Sequence, residues 1–93
     1  MYATVRIYTG ADELADALVE HSDDVKRLIT GIDGFAAYYL VRTADGAASV
    51  SVYADEAGAD ESNRAAAAWV KENLPELDVS PPQVYAGDVA ITL

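Results

Sequence analysis

Few side chains in these 93 residues are able to do chemistry. His21 is the single histidine, and it falls in line with Leu14, Leu18, Val25, Leu28 and Ile32 at helical spacing. A histidine on such a stripe is either a packed ring with one nitrogen satisfied, or a base or hydrogen-bond donor at the edge of a pocket. With no cysteine in the chain, a lone histidine makes no metal site, and no metal is expected. The carboxylates Asp12, Glu13, Asp16, Glu20, Asp23 and Asp24 read as the solvated face of one helix. Asp55, Glu56, Asp60 and Glu61 gather at the start of another, where negative charge is favoured. No glycine-rich phosphate loop and no Ser/His/Asp constellation can be argued.

A second group stands out by repetition. Gly34 to Ala54, "GFAAYYLVRTADGAASVSVYA", reads as two strands around Asp45-Gly46, a two-residue turn signal. That loop would pair Val41 with Val50, Tyr39 with Val52, Tyr38 with Tyr53 and Arg42 with Ser49. One face then holds Phe35, Ala37, Tyr39, Val41, Val50, Val52 and Ala54, and hydropathy assigns it to the helices. The other holds Tyr38, Leu40, Arg42, Ser49, Ser51 and Tyr53, joined by Tyr2, Thr4, Arg6 and Tyr8 from the first strand. Tyrosine and arginine are enriched where proteins meet. Tyr2, Arg6, Tyr8, Tyr38, Leu40, Arg42 and Tyr53 are therefore expected to form the face on which a second copy docks.

The elements that carry these residues follow from periodicity. Residues 2–8 alternate as a strand, and Gly10 breaks it. Asp12 stands at a helix N-cap position, and the stripe from Leu14 to Ile32 is one helix with a kink at the "HSDD" segment. Asp55 caps a second helix, which must end before Pro75. Residues 83–93 give a last strand, bent or split near Gly87-Asp88. The order β-α-β-β-α-β is that of the α+β ferredoxin-like fold, a four-stranded antiparallel sheet with both helices on one face.

Composition sets the outer bounds. The chain makes one domain, residues 1–93, whose core is thin enough to gain from burial against a second copy. Sixteen acidic against six basic residues give a net charge of −10, which repels phosphate backbones and argues against nucleic acid. Aspartate outnumbers glutamate and lysine is scarce, as in proteins of salty habitats and in the products of high-GC genomes alike. No apolar run approaches the ~18 residues of a membrane span, and the N-terminus lacks the apolar core of a signal peptide. A cytoplasmic protein without disulfides is expected.

The element order, "GFAAYYLVRTADGAASVSVY" running into "ESNRAAAAWV", and a short terminal strand resemble the antibiotic biosynthesis monooxygenase domains over nearly the whole chain. The resemblance implies a homodimeric α+β barrel, in which two sheets close on each other with helices outside. It includes cofactor-independent oxygenases of aromatic polyketides, haem-degrading enzymes and proteins without assigned activity, and the fold does not choose among them. The oxygenases work in a pocket between sheet and helices with a Trp, an Asn and a Tyr. Here that implies Trp69, Asn63 and Tyr39, with His21 at the mouth. The haem branch is not implied, since its ligand histidine lies near the second helix and His21 does not. Two functions stay open: a cofactor-independent monooxygenase of a small aromatic substrate, and a non-catalytic ligand-binding or dimerisation module. Trp69 and Tyr39 as plain core residues, and Asn63 as a polar residue at a helix edge, are the competing readings. Ala65 to Ala68 serve to bring the second helix close to the sheet.

Overall fold

A computed structural model describes residues 1–77 and 79–93. The alternating N-terminus forms β1 (Tyr2–Tyr8), and the apolar stripe that follows forms two helices, α1 (Leu14–Glu20) and α2 (Ser22–Thr30). The break falls on His21, at φ −101° and ψ 27°, where Ser22, Asp23 and Asp24 begin a new first turn. The expected kink is thus a full interruption. Asp12 does not cap α1; Glu13 occupies that position without a side-chain bond.

The hairpin is β2 (Phe35–Thr43) and β3 (Gly46–Tyr53). Asp55, extended at φ −145°, then caps α3 (Glu56–Asn73) by accepting a 3.1 Å bond from the Gly58 amide. α3 stops one residue short of the Leu74-Pro75 step, as the steric restriction before proline demands. β4 (Gln83–Asp88) ends the sheet, and residues 89–93 do not extend it. The four antiparallel strands lie in the order β2-β3-β1-β4, so the fold is α+β, with helices on one side of the sheet.

Thr43 pairs with Gly46, so the two-residue loop is Ala44-Asp45 and not Asp45-Gly46. Gly46 serves a different need: a Cβ there would sit 2.1 Å from the Tyr8 carbonyl oxygen of the neighbouring strand. The register moves by two residues, pairing Tyr39 with Val50 and Leu40 with Ser49. A shift of two keeps every side chain on its own face. One exception arises at a bulge between Phe35 and Ala37, which sets Phe35 opposite Tyr53, ring centroids 6.0 Å apart.

What does change is which face the helices cover. Thr4, Arg6, Tyr8, Ser49, Ser51 and Tyr53 are all buried, whereas Tyr39 is 64% and Val41 49% exposed. The expected open face is the covered one, and the expected core face is open. Volume explains the reversal. The side of α3 turned to the sheet is small: Gly58, Ala59 and Ser62 are its buried residues. A Cβ on Gly58 would come within 2.8 Å of the Tyr53 Cβ, so the helix lies almost on the strand there. Long polar side chains on the sheet fill the wedge that such a helix leaves, and small apolar ones are turned outward.

Candidate functional site

Beneath the helices the sheet supplies a polar floor and the helices an apolar roof. Leu18 of α1, Val25, Leu28 and Ile29 of α2, and Ala66, Trp69 and Val70 of α3 form the roof. Arg6, Tyr8, Tyr38, Leu40 and Ser49 form the floor. Between them lies a cavity of about 30 Å³, room for a water or two. An open groove of about 480 Å³ between α2 and β2 adjoins it, sharing Leu18, Val25, Ile29, Tyr38 and Leu40.

Arg6 is the most consequential residue here. It is 3% exposed, and its guanidinium, permanently charged in proteins, has only neutral partners among the described residues. One terminal nitrogen donates to Asn63 Oδ1 at 2.8 Å and the other to Ser51 Oγ at 3.4 Å, while Nε has no partner. Thr4 Oγ1 donates to the same Asn63 oxygen at 3.2 Å, fixing that amide. Ser49, directly across the β1–β3 ladder from Arg6, holds a buried hydroxyl that is also unpaired. Burying polar groups costs free energy unless they are bonded, and a lone charge costs most.

Two phenols stand close to the guanidinium. Burial pushes the Tyr8 and Tyr38 hydroxyls above the ordinary tyrosine value, and the positive Arg6 partly opposes this. Tyr53 is raised as well, chiefly by burial, and its hydroxyl donates to the Ile29 carbonyl at 3.0 Å. These tyrosines are neutral donors through the physiological range.

The four residues expected to line a pocket separate. Trp69 borders the cavity. His21 meets Trp69 edge-on at 5.4 Å between ring centres, away from the cavity wall, with Nδ1 3.7 Å from Asp24. Asn63 acts one step back, by holding Arg6. Tyr39 lies on the other side of the sheet and takes no part.

Of the residues expected to meet a second copy, Arg6, Tyr8 and Tyr53 are buried within the chain, and Tyr38 and Leu40 border the cavity. Tyr2 donates to Glu56 Oε2 on α3 at 3.0 Å, and Arg42 pairs with Asp16 of α1. All seven lie on the helix side of the sheet or at its margin, so none belongs to the open face. Arg6 and Ser49 as a site, and Tyr8 and Tyr38 as its walls, are what sequence reasoning missed. The signal was present in the small residues of α3, whose size calls for bulky partners on the strand facing them.

The chain aligns over 99% of its length with a protein of unknown function from Nitrosomonas europaea, at a TM-score of 0.69 and 22% identity, covering 90% of that protein. It aligns equally fully with the ActVA-Orf6 monooxygenase of Streptomyces coelicolor, solved with nanaomycin D, at a TM-score of 0.67 and 19% identity over 88% of that chain. The chain shares the fold of that monooxygenase. SnoaB, a cofactor-independent oxygenase from Streptomyces nogalater, shares it too, at 0.67 and 16% identity, with 99% of this chain and 95% of SnoaB covered. No family model and no curated protein matches the sequence. Among the described residues, no helix is long and apolar enough to cross a membrane, and no three His, Cys, Asp or Glu side chains gather as a metal site.

Proposed function

We propose that the domain binds a small aromatic molecule behind Trp69 and acts on it as a cofactor-independent monooxygenase. The observation that supports this is the cavity itself: an aromatic and aliphatic enclosure over unpaired donors, in a fold shared with SnoaB and the ActVA-Orf6 monooxygenase. In such chemistry the substrate supplies the electrons that reduce dioxygen, so the protein's task is to hold it and stabilise its charge. Trp69 and Tyr8 would flank the ring, and Arg6, held by Asn63, would face its oxygen. The cavity must widen toward the α2–β2 groove to admit a ring, since its present volume fits only water.

The test uses the single tryptophan. Hydroxylated naphthalenes and anthrones should quench Trp69 emission saturably, and the substrates among them should consume dioxygen without added flavin, haem or metal. Unchanged emission across the series would overturn the ligand site. Binding without oxygen uptake would leave a binding module.

We further propose that the domain is a homodimer joined through the open face. Ala3, Val5, Ile7, Tyr39, Val50 and Tyr85 share that face, and none is charged. Four strands about 4.8 Å apart and some six residues long span roughly 400 Å² per copy, and the pleated surface exceeds that projection. Two copies would bury on the order of 1,000 Å², about the least that a biological interface needs. Two chains of −10 charge approach each other with least repulsion through an uncharged surface.

A further inference from the structure

The buried guanidinium says more about the ligand than its size. Arg6 is 3% exposed, no carboxylate among the described residues reaches it, and its Nε is unpaired. Ser49, its partner across the ladder, offers a second unpaired donor to the same cavity, which both residues line. Charge is also sorted around this region. Sixteen acidic residues outnumber six basic ones over the chain, yet among the described residues no acid lines either the cavity or the groove beside it. The charged residues that do are Arg6 in the cavity and Lys26 in the groove. Beyond Arg6 the groove is largely apolar, floored by Tyr38, Leu40 and Phe35 and walled by Leu18, Val25 and Ile29, with Ser22, Lys26 and Thr30 along α2.

We propose that this site takes an amphipathic oxyanion: a carboxylate or phenolate head seated between Arg6 and Ser49, and an apolar body leaving through the groove between α2 and β2. The ligand then supplies the negative charge that the fold withholds from Arg6. Bonds between an anion and a guanidinium, made out of water, are about twice as strong as neutral ones. A protonated amine at the same point would meet a like charge. The proposal rests on the ligand site behind Trp69 and adds to it the charge and orientation of what binds.

Three probes with one ring system isolate the head group: 2-naphthoate, 2-naphthalenemethanol and 2-naphthylmethylammonium, titrated against Trp69 emission and by calorimetry at pH 7. The carboxylate should bind at least about tenfold more tightly than the alcohol, and the ammonium should not bind. Arg6→Met should bring the carboxylate down to about the alcohol's affinity and weaken the alcohol far less. Ser49→Ala, a smaller perturbation, should weaken the carboxylate a few-fold and spare the alcohol. A further readout needs no variant. 4-Nitrophenol bound to the wild-type protein should ionise at lower pH than in buffer, which its absorbance reports directly. Equal affinity for acid and alcohol, or an acid preference that survives Arg6→Met, would overturn the oxyanion assignment while leaving the ligand site intact. Binding of nitrophenol as the neutral phenol would do the same. If no naphthyl probe perturbs Trp69, the ligand site falls and the assignment with it.

Discussion

The two faces of this sheet invert the usual arrangement. Under the helices lie Thr4, Arg6, Ser49 and Ser51, almost free of solvent. On the open side stand Tyr39, Val41 and Tyr85, each about half exposed or more. A lone soluble domain gains by turning apolar side chains inward, and the proposed ligand and second copy would account for a sheet that does the reverse. The dry polar face suits the proposed ligand, since donors act most strongly where water is excluded. The apolar face is bare in the single chain, and the proposed second copy would cover it.

The sharpest contrast is between two tyrosines. Tyr53 is fully buried, packed beside Ile29 and Phe35 and bonded to the Ile29 carbonyl, whereas Tyr39 stands out from the sheet. Tyr53→Ala should cost about 3–5 kcal/mol of folding stability. Tyr39→Ala should cost well under 1 kcal/mol per folded chain and act on association instead. Urea unfolding of both variants measures this, and equal losses would erase the difference between the faces.

Alkali should attack the covered face next. Tyr8, Tyr38 and Tyr53 have folded-state values raised above 10, mainly by burial for each. The folded chain therefore holds these protons more tightly than the unfolded one. Their contribution is complete below about pH 10 and is lost as pH rises through the raised folded values. The melting temperature should be insensitive to these groups at pH 8–9 and should fall above pH 10. Tyr8→Phe, which keeps the packing and cannot ionise, should blunt that fall.

Arg6→Met should change stability least of the buried substitutions. Replacing a buried charge that lacks a countercharge by an apolar side chain of similar length is often neutral or stabilising. A melting temperature within a few degrees of wild type, or above it, is expected. A large drop would make Arg6 a structural residue. Smallest of all is the effect of salt. Screening of the −10 charge should strengthen association and raise the melting point by a few degrees between dilute buffer and molar salt.

The sequence carried the elements because each is written locally. Alternation marked β1, the Asp55 cap and Pro75 bounded α3, and the "HSDD" segment marked the interruption at His21. It carried the division of the hairpin into two faces, because an error of two residues in register is harmless. It did not carry which face is inside. That choice rests on the fit between the small side of α3 and the long side chains of β1 and β3, a contact between segments some 57 residues apart, as in the bond from Arg6 to Asn63. Trp69 was legible as a pocket residue only through the family resemblance, since an indole on an alanine-rich helix reads equally as a core anchor. Tyr39 was not, since its placement followed from the inverted faces.

The reversal is tested most directly by sedimentation velocity of the wild-type protein beside Val50→Asp, with circular dichroism to confirm that the variant folds. Val50 pairs with Val5 and Tyr39 in the middle of the open face, where a carboxylate is harmless to a lone chain and intolerable between two. The account predicts a wild-type mass of twice the 9.9 kDa chain and a folded Val50→Asp variant that sediments as one chain. A wild-type protein that sediments at 9.9 kDa, or a Val50→Asp variant that stays paired, would contradict it.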